Sequence, residues 1–153
     1  MGEFFGSMYT FLFEDFFGMD LANYLWGLSS PYQDSNLYIG VGIWMLVTSL
    51  LVPILYYIVI DHPKLAKWWG WLIFWGINAV INLIVGWQWC LTELYAGKMK
   101  AIVPSTDQEV NLNISGADCW CFGVSNMFLS IFFFFILMFI VKWKSINCSH
   151  TPF

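Results

Sequence analysis

The chain has 153 residues, of which 59% are hydrophobic, 21% are aromatic and only 10% are charged. Soluble domains carry about 25% charged residues, so this chain has too few polar side chains to cover a water-facing surface, and its composition predicts an integral membrane protein. Its basic residues are six lysines and its net charge is −4, so the sequence excludes a nucleic-acid partner. It also has no glycine-rich phosphate motif that would bind a nucleotide.

Residues 1–36 form the first predicted region, an amphipathic helix followed by a linker. Apolar side chains recur along one side of the helix at three- and four-residue spacing, at Phe5, Met8, Tyr9, Leu12, Phe16 and Met19. The region also contains four acidic residues, Glu3, Glu14, Asp15 and Asp20. An acidic group near the centre of a span costs about 2.5–3.5 kcal/mol. The pattern therefore predicts a helix that lies in the plane of the membrane interface.

The acidic residues of this helix leave three interpretations open. The helix is a simple anchor on the less anionic leaflet, or its carboxylates dock onto a basic partner, or the segment re-enters the membrane without crossing it. In the second interpretation the candidate docking residues are Glu3, Glu14, Asp15 and Asp20.

Three uncharged runs are long enough to cross a bilayer, for which about 20 residues are needed. They are residues 37–60, 69–91 and 122–141. Each run is predicted as a helix, because an unpaired backbone group is costly in hydrocarbon. Pro53 is expected to kink the first helix, since proline cannot donate a backbone hydrogen bond.

The lysines predict the orientation of these spans. Two lie in the turn 61–68, two in the tail 142–153 and two in the loop 92–121, whereas the N-terminal region has none. Cytoplasmic segments carry the excess of lysine, so the turn and the tail are predicted to be cytoplasmic and the N-terminus and the loop extracytoplasmic, in a bacterial inner membrane. Residues 108–114 of the loop alternate between polar and apolar, which predicts short β-strands. The predicted fold class is an all-α integral membrane protein with three transmembrane helices, an interfacial helix and this small loop.

Tryptophans lie at both ends of the second span. They are Trp68, Trp69, Trp71, Trp87 and Trp89. The indole ring prefers the headgroup level of a membrane, where the ring lies in apolar surroundings and the N–H meets water. We therefore interpret the five residues as interfacial anchors, and we predict no cofactor pocket.

Asn78 and Asn82 lie four residues apart in the second span, so they share one face of the predicted helix. Uncharged amides in lipid seek hydrogen-bond partners on other helices. The favoured interpretation is a helix–helix or subunit contact, and the alternative is a water- or ion-lined path. No ionisable residue lies within any of the three spans, which argues against a proton relay.

Three cysteines lie near the predicted extracytoplasmic ends of the second and third spans, namely Cys90, Cys119 and Cys121. Disulfides persist on the oxidising side of a membrane, so we expect Cys90 to pair with Cys119 or with Cys121. A metal site is the rival interpretation, but a Cys-x-Cys pair without a nearby histidine lacks the usual four ligands, and no metal is predicted. Cys148 is expected to be a free thiol in the cytoplasmic tail.

No catalytic constellation is visible in the sequence, so an enzyme is not predicted. The favoured function is a structural or anchoring subunit of a multi-component membrane assembly, such as a bacterial envelope or secretion machine. The alternative is a homo-oligomeric pore of the phage-holin type, whose three-span architecture the chain resembles. A membrane redox subunit is the third possibility, supported by the cysteines alone. The expected partners are the lipid bilayer and other membrane subunits or copies of the chain itself.

Overall fold

The structure is a computed structural model that describes residues 2–27, 36–103, 108–146 and 148. The protein is mostly helical, and three of its helices are long and apolar enough to cross a membrane. These candidate spans are Leu37–Ile60, Trp68–Tyr95 and Gly116–Lys144. The prediction of three apolar helices of membrane-spanning length is therefore confirmed, and their length and composition support a membrane protein.

The elements follow one another along the chain as helices with one small sheet. In order they are α1 (Gly2–Phe17), α2 (Met19–Trp26), α3 (Leu37–Ile54) with a π-helical continuation (Leu55–Ile60), α4 (Trp68–Tyr95), β1 (Lys100–Val103), β2 (Gln108–Asn111) and α5 (Gly116–Val141) with a final 3₁₀ turn (Lys142–Lys144).

The N-terminal region contains two helices instead of the single helix predicted from its periodicity. The break falls at Gly18, whose φ of 90° lies in the region that favours glycine. After this break α2 folds back, so that the Trp26 indole covers Gly6 of α1. A β-carbon at Gly6 would lie 2.5 Å from that ring, and the close approach therefore requires glycine. Together, α1 and α2 form a helical hairpin.

The predicted apolar stripe of α1 is divided between two environments. Phe5 and Tyr9 are buried against the rest of the protein, whereas Leu12, Phe16 and Met19 are 53%, 52% and 65% exposed. Phe5 and Tyr9 are four residues apart, and residues at this spacing form a ridge with which a helix packs against a neighbouring helix. The hairpin thus packs through apolar side chains and also exposes apolar side chains.

The first long helix changes its winding after Pro53. Proline lacks the N–H that would bond to the preceding turn, and a π-helical segment begins at Leu55. That segment ends where the backbone N–H of Asp61 donates to the Tyr56 carbonyl at 3.2 Å. The expected disturbance by Pro53 therefore takes the form of a wider helix that still extends to Ile60.

Helices α4 and α5 are both longer than the predicted spans 69–91 and 122–141. After α4, Gly97 has a φ of 68° and donates to the carbonyl of Leu94, a left-handed end that glycine allows. Before α5, the side chains of Ser115 and Asp118 form a capping box, with the Ser115 hydroxyl and backbone N–H bonded to the carboxylate at 2.9 and 2.8 Å. The segment between the two helices is correspondingly shorter than the predicted loop.

The loop contains a two-stranded antiparallel sheet, as its alternating residues predicted. Strand β2 lies within the expected stretch, and it pairs with β1 in a register that sets Lys100 opposite Asn111. Strand β1 was not predicted. An ion pair between Lys100 and Glu109 at 3.0 Å joins the two strands on their exposed surface.

The described chain is divided into two compact units. Unit 1 comprises residues 1–43 and 84–125, and unit 2 comprises residues 44–83 and 126–153. The core of unit 1 is aromatic and contains Tyr9, Phe17, Tyr38 and Phe122, with neighbouring ring centroids 5.3–6.1 Å apart. The core of unit 2 contains Val52, Tyr56, Tyr57, Trp71, Phe134, Met138, Val141 and Cys148.

Candidate functional site

The two predicted span asparagines belong to a buried polar network in unit 2. Asn82 is fully buried, and its amide group exchanges hydrogen bonds with the Thr48 hydroxyl of α3 at 3.0 and 3.1 Å. The Asn82 amide also donates to the carbonyl of Asn78 in its own helix at 2.9 Å. The polar face of α4 is therefore directed at α3 within the same chain.

Asn78 extends the network to α5. Its side-chain amide donates to the Ser49 hydroxyl at 3.4 Å and to the Ser130 carbonyl at 3.3 Å. The Ser49 hydroxyl also donates to that same carbonyl at 3.3 Å. All three side chains are fully buried, so these bonds join α3, α4 and α5 in a place where water cannot substitute for them.

Asn126 is a member of this network that the sequence analysis missed. Its side-chain amide is fully buried and donates to the backbone carbonyl of Asn82 at 2.7 Å. Like Asn78, Asn126 is an uncharged amide inside an apolar run, the predicted span 122–141, so the same signal was present in the sequence.

The three predicted disulfide candidates lie in unit 1 but in different surroundings. The Sγ atoms of Cys90 and Cys119 are 2.7 Å apart, both side chains are buried, and the structure describes the pair in its reduced form. Cys121 is only partly buried and is also a free thiol. Within the part of the chain that the structure describes, no group of three or more His, Cys, Asp or Glu side chains is arranged to hold a metal ion.

The five predicted tryptophan anchors do not share one environment. Trp68 and Trp69 are 54% and 71% exposed, and their rings contact each other edge to face. Trp71, by contrast, is 5% exposed, lies in the core of unit 2 and donates its indole N–H to the sulfur of Met138 at 3.0 Å. The structure therefore places Trp71 in a packing role.

At the other end of α4, Trp87 and Trp89 are partly buried in unit 1. Trp87 contacts the Trp120 ring edge to face at 5.1 Å. Trp89 lies over Gly40, where a β-carbon would be 3.0 Å from the indole. Both residues thus pack between helices of unit 1.

The predicted docking residues of the hairpin lie mainly at its surface. Glu3, Asp15 and Asp20 are exposed, and Glu14 is partly buried. Among the described residues, no ion pair involves any of these four carboxylates. Their charges therefore meet no described basic side chain at salt-bridge distance.

A hydrogen bond ties the hairpin to α4 within unit 1. The buried Tyr24 of α2 donates its hydroxyl to the Glu93 carboxylate at 3.1 Å. Burial, and next the negative charge of Glu93, raise the pKa of the Tyr24 phenol. Glu93 also forms an exposed ion pair with Lys98 at 3.3 Å.

Asp61 organises the end of unit 2 and was not singled out from the sequence. Its φ of 29° is rare for a residue other than glycine. Its carboxylate accepts hydrogen bonds from the Ser145 hydroxyl at 2.6 Å and from the backbone N–H groups of Ile146 and Cys148 at 3.0 Å each. Burial and the nearby Asp61 charge raise the pKa of the Cys148 thiol. Asp61 thus holds the C-terminal tail against the turn that follows α3.

Comparisons of the chain with protein-family models, with curated proteins and with solved structures found no match.

Proposed function

We propose that the protein is a non-catalytic anchoring subunit of a multi-component membrane assembly, such as a bacterial envelope or secretion machine. The observation that carries this proposal is the buried polar network of unit 2. Asn78, Asn82 and Asn126 are fully buried and hydrogen bonded to groups of the same chain. The amides therefore act as contacts between helices, the role that such groups most often have in lipid.

The same network weighs against the alternative, a homo-oligomeric pore. A pore lined by the polar face of α4 would present Asn78 and Asn82 to water between copies of the chain. Within unit 2 the exposed residues of this helix are instead apolar, and Ile73, Ile77 and Val80 among them are 44–57% exposed. Such a surface suits lipid or the apolar face of another membrane protein.

We further propose that the hairpin lies in the extracytoplasmic interface and that its carboxylates contact a basic partner. Phe4 and Phe11 of α1 are 60% and 88% exposed, which supplies apolar area for lipid. Asp15 and Asp20 are exposed and form no ion pair with any described residue, so their charges supply the attraction for a basic surface. In this orientation the tail after α5 is cytoplasmic, in agreement with the excess of lysines in the tail and in the turn before α4.

The first experiment separates an anchor from a pore. The purified 17.8-kDa chain is reconstituted into liposomes, and the release of a trapped ion is measured. An anchoring subunit is expected to release no more ion than empty liposomes, and mild detergent extracts of native membranes should contain it bound to other polypeptides. Ion release that disappears in the Asn78→Leu, Asn82→Leu double variant would instead establish the pore.

The second experiment tests the docking surface. Asp15→Asn with Asp20→Asn removes two negative charges, and the recovery of the native complex is expected to fall about fivefold, because two exposed ion pairs contribute about 0.5 kcal/mol each. The matched control is Gln108→Lys with Val110→Lys, which changes the net charge equally on the exposed strand β2. Equal losses in both variants would show that the hairpin charges have no specific role.

A further inference from the structure

Two cysteine side chains face each other across α4 and α5 in unit 1. The Sγ atoms of Cys90 and Cys119 are 2.7 Å apart, and the side chains are 1% and 0% exposed. A disulfide requires both sulfur atoms to approach without a rearrangement of the backbone. The two helices already hold these thiols in contact, although the residues are 29 positions apart in the sequence.

The helix geometry of α5 distinguishes Cys119 from Cys121. Successive helical residues are rotated by about 100°, so a residue two positions further on faces nearly the opposite side. Cys121 is accordingly only partly buried, whereas Cys119 is directed at Cys90. The sequence left both pairings open, and the placement of the helices favours one of them.

We propose that Cys90 and Cys119 form a disulfide bond that covalently joins α4 to α5, while Cys121 and Cys148 remain thiols. The surroundings suit a permanent link, because both sulfur atoms are buried and the same two helices are also joined by the Trp87–Trp120 ring contact. Cys148 has no such cysteine partner: its thiol lies at 3.9 Å from the carbonyl of His62, beside the Asp61 turn. This inference does not depend on the anchoring function, but it rests on the proposed extracytoplasmic position of these helix ends.

The reaction requires an oxidant, for which we propose a dithiol–disulfide oxidoreductase in its disulfide form. One of the two cysteines, as thiolate, attacks the disulfide of the oxidant, which produces a mixed disulfide and releases one oxidant thiol. The second cysteine attacks the mixed disulfide and releases the other oxidant thiol. Cys90 and Cys119 together lose two electrons and two protons, and the oxidant gains them as two thiols. Such oxidants act on the extracytoplasmic side, where the helix ends that carry this pair are predicted to lie.

The test counts the reversibly oxidised cysteines of the full-length protein in its native membrane. Membranes are quenched with acid, free thiols are blocked with N-ethylmaleimide in SDS, and the sample is then reduced and labelled with a polymer-linked maleimide. Of the four cysteines, two are expected to take the polymer. Wild-type protein that takes none would overturn the proposal.

Single variants identify the pair. Cys121→Ser and Cys148→Ser are expected to keep two polymer additions, whereas Cys119→Ser is expected to have none. Because the loss of Cys119 could impair folding, mass spectrometry of unreduced wild-type peptides provides an independent measurement. It is expected to show a peptide linked through Cys90 and Cys119, and a linkage that involves Cys121 would refute the assignment.

Discussion

The contact between α1 and α3 in unit 1 depends on the absence of a side chain at Gly42. A β-carbon at this position would lie 2.5 Å from two ring atoms of Phe5. Carbon atoms pack best at about 3.5–4.0 Å, so the Phe5 ring, and α1 with it, would have to move by about 1 Å. Overpacking of this kind costs about 1–3 kcal/mol. We therefore expect Gly42→Ala to weaken the attachment of the hairpin.

Gly76 provides a matched control for this substitution. It also lies inside a long helix, but a β-carbon there would meet nothing within 4 Å. Glycine in a helix is less favourable than alanine by about 0.5–1 kcal/mol, and both variants gain this contribution. The difference in stability between Gly42→Ala and Gly76→Ala therefore measures the steric contact with Phe5, for which we expect about 1–3 kcal/mol.

Two measurements examine this prediction. Unfolding in mixed micelles of SDS and a mild detergent should show Gly76→Ala to be at least as stable as the wild type and Gly42→Ala to be less stable. Hydrogen exchange should become faster in α1 of the Gly42→Ala protein and remain unchanged in α4. Equal stability of the two variants, with unchanged exchange in α1, would refute the proposed packing of Phe5 on Gly42.

Three further predictions concern hydrogen bonds of the two units. A double-mutant cycle with Thr48→Val and Asn82→Leu is expected to give a coupling energy of about 0.6–1.7 kcal/mol, the range for bonds between helices in lipid, measured by unfolding in mixed micelles. Asp61→Asn removes a negative charge beside Cys148 and weakens the hydrogen bonds of Asp61 to Ile146 and Cys148, so the pKa of the Cys148 thiol should fall and its alkylation at pH 7.5 should become faster. The pKa of Tyr24 is raised in the folded protein, so the unfolded state loses the phenol proton at a lower pH than the folded state. The free energy of unfolding should therefore fall as the pH rises above about 10, and it should fall less steeply in Tyr24→Phe.

Each of these predictions has a control. Thr92→Val removes a bond to the carbonyl of Gln88 in its own helix, and it should show no coupling to Asn82→Leu. Asp20→Asn removes an exposed charge far along the chain from the tail, and it should leave the alkylation of Cys148 unchanged. Tyr95→Phe removes an exposed phenol and should retain the wild-type response to alkaline pH. A control that behaved like its test variant would contradict the corresponding contact.

The N-terminal region shows where reasoning from periodicity reached its limit. The spacing of its apolar residues correctly indicated helix, yet it did not indicate that Gly18 would break the helix or that Phe5 and Leu12 would have different surroundings. The different surroundings of Phe5 and Leu12 depend on the place of α1 against Gly42 and Tyr38. A residue pattern records which side chains share a face, but it does not record which neighbour covers that face.

The carboxylate of Asp61 illustrates a second limit. Its bonds to Ser145 and Cys148 join residues 84 and 87 positions apart in the sequence. No local motif identifies such a pairing. The Ser115–Asp118 capping box, in contrast, lies within three positions and follows a pattern that is readable in the sequence, although the predicted start of the third span lay beyond it.

The sequence alone determined the three long apolar helices, because uncharged runs of this length have no other stable conformation in hydrocarbon. It also indicated the small sheet through its alternating residues. Only the tertiary structure decided which faces of these helices meet, because a helix that is apolar all round carries no stripe to mark its packing face. The rotation of each helix about its axis decides three features: the contact of Cys90 with Cys119 and not Cys121, the place of Asn126 in the polar network, and the burial of Trp71. Close packing at glycines and hydrogen bonds between distant residues determine that rotation.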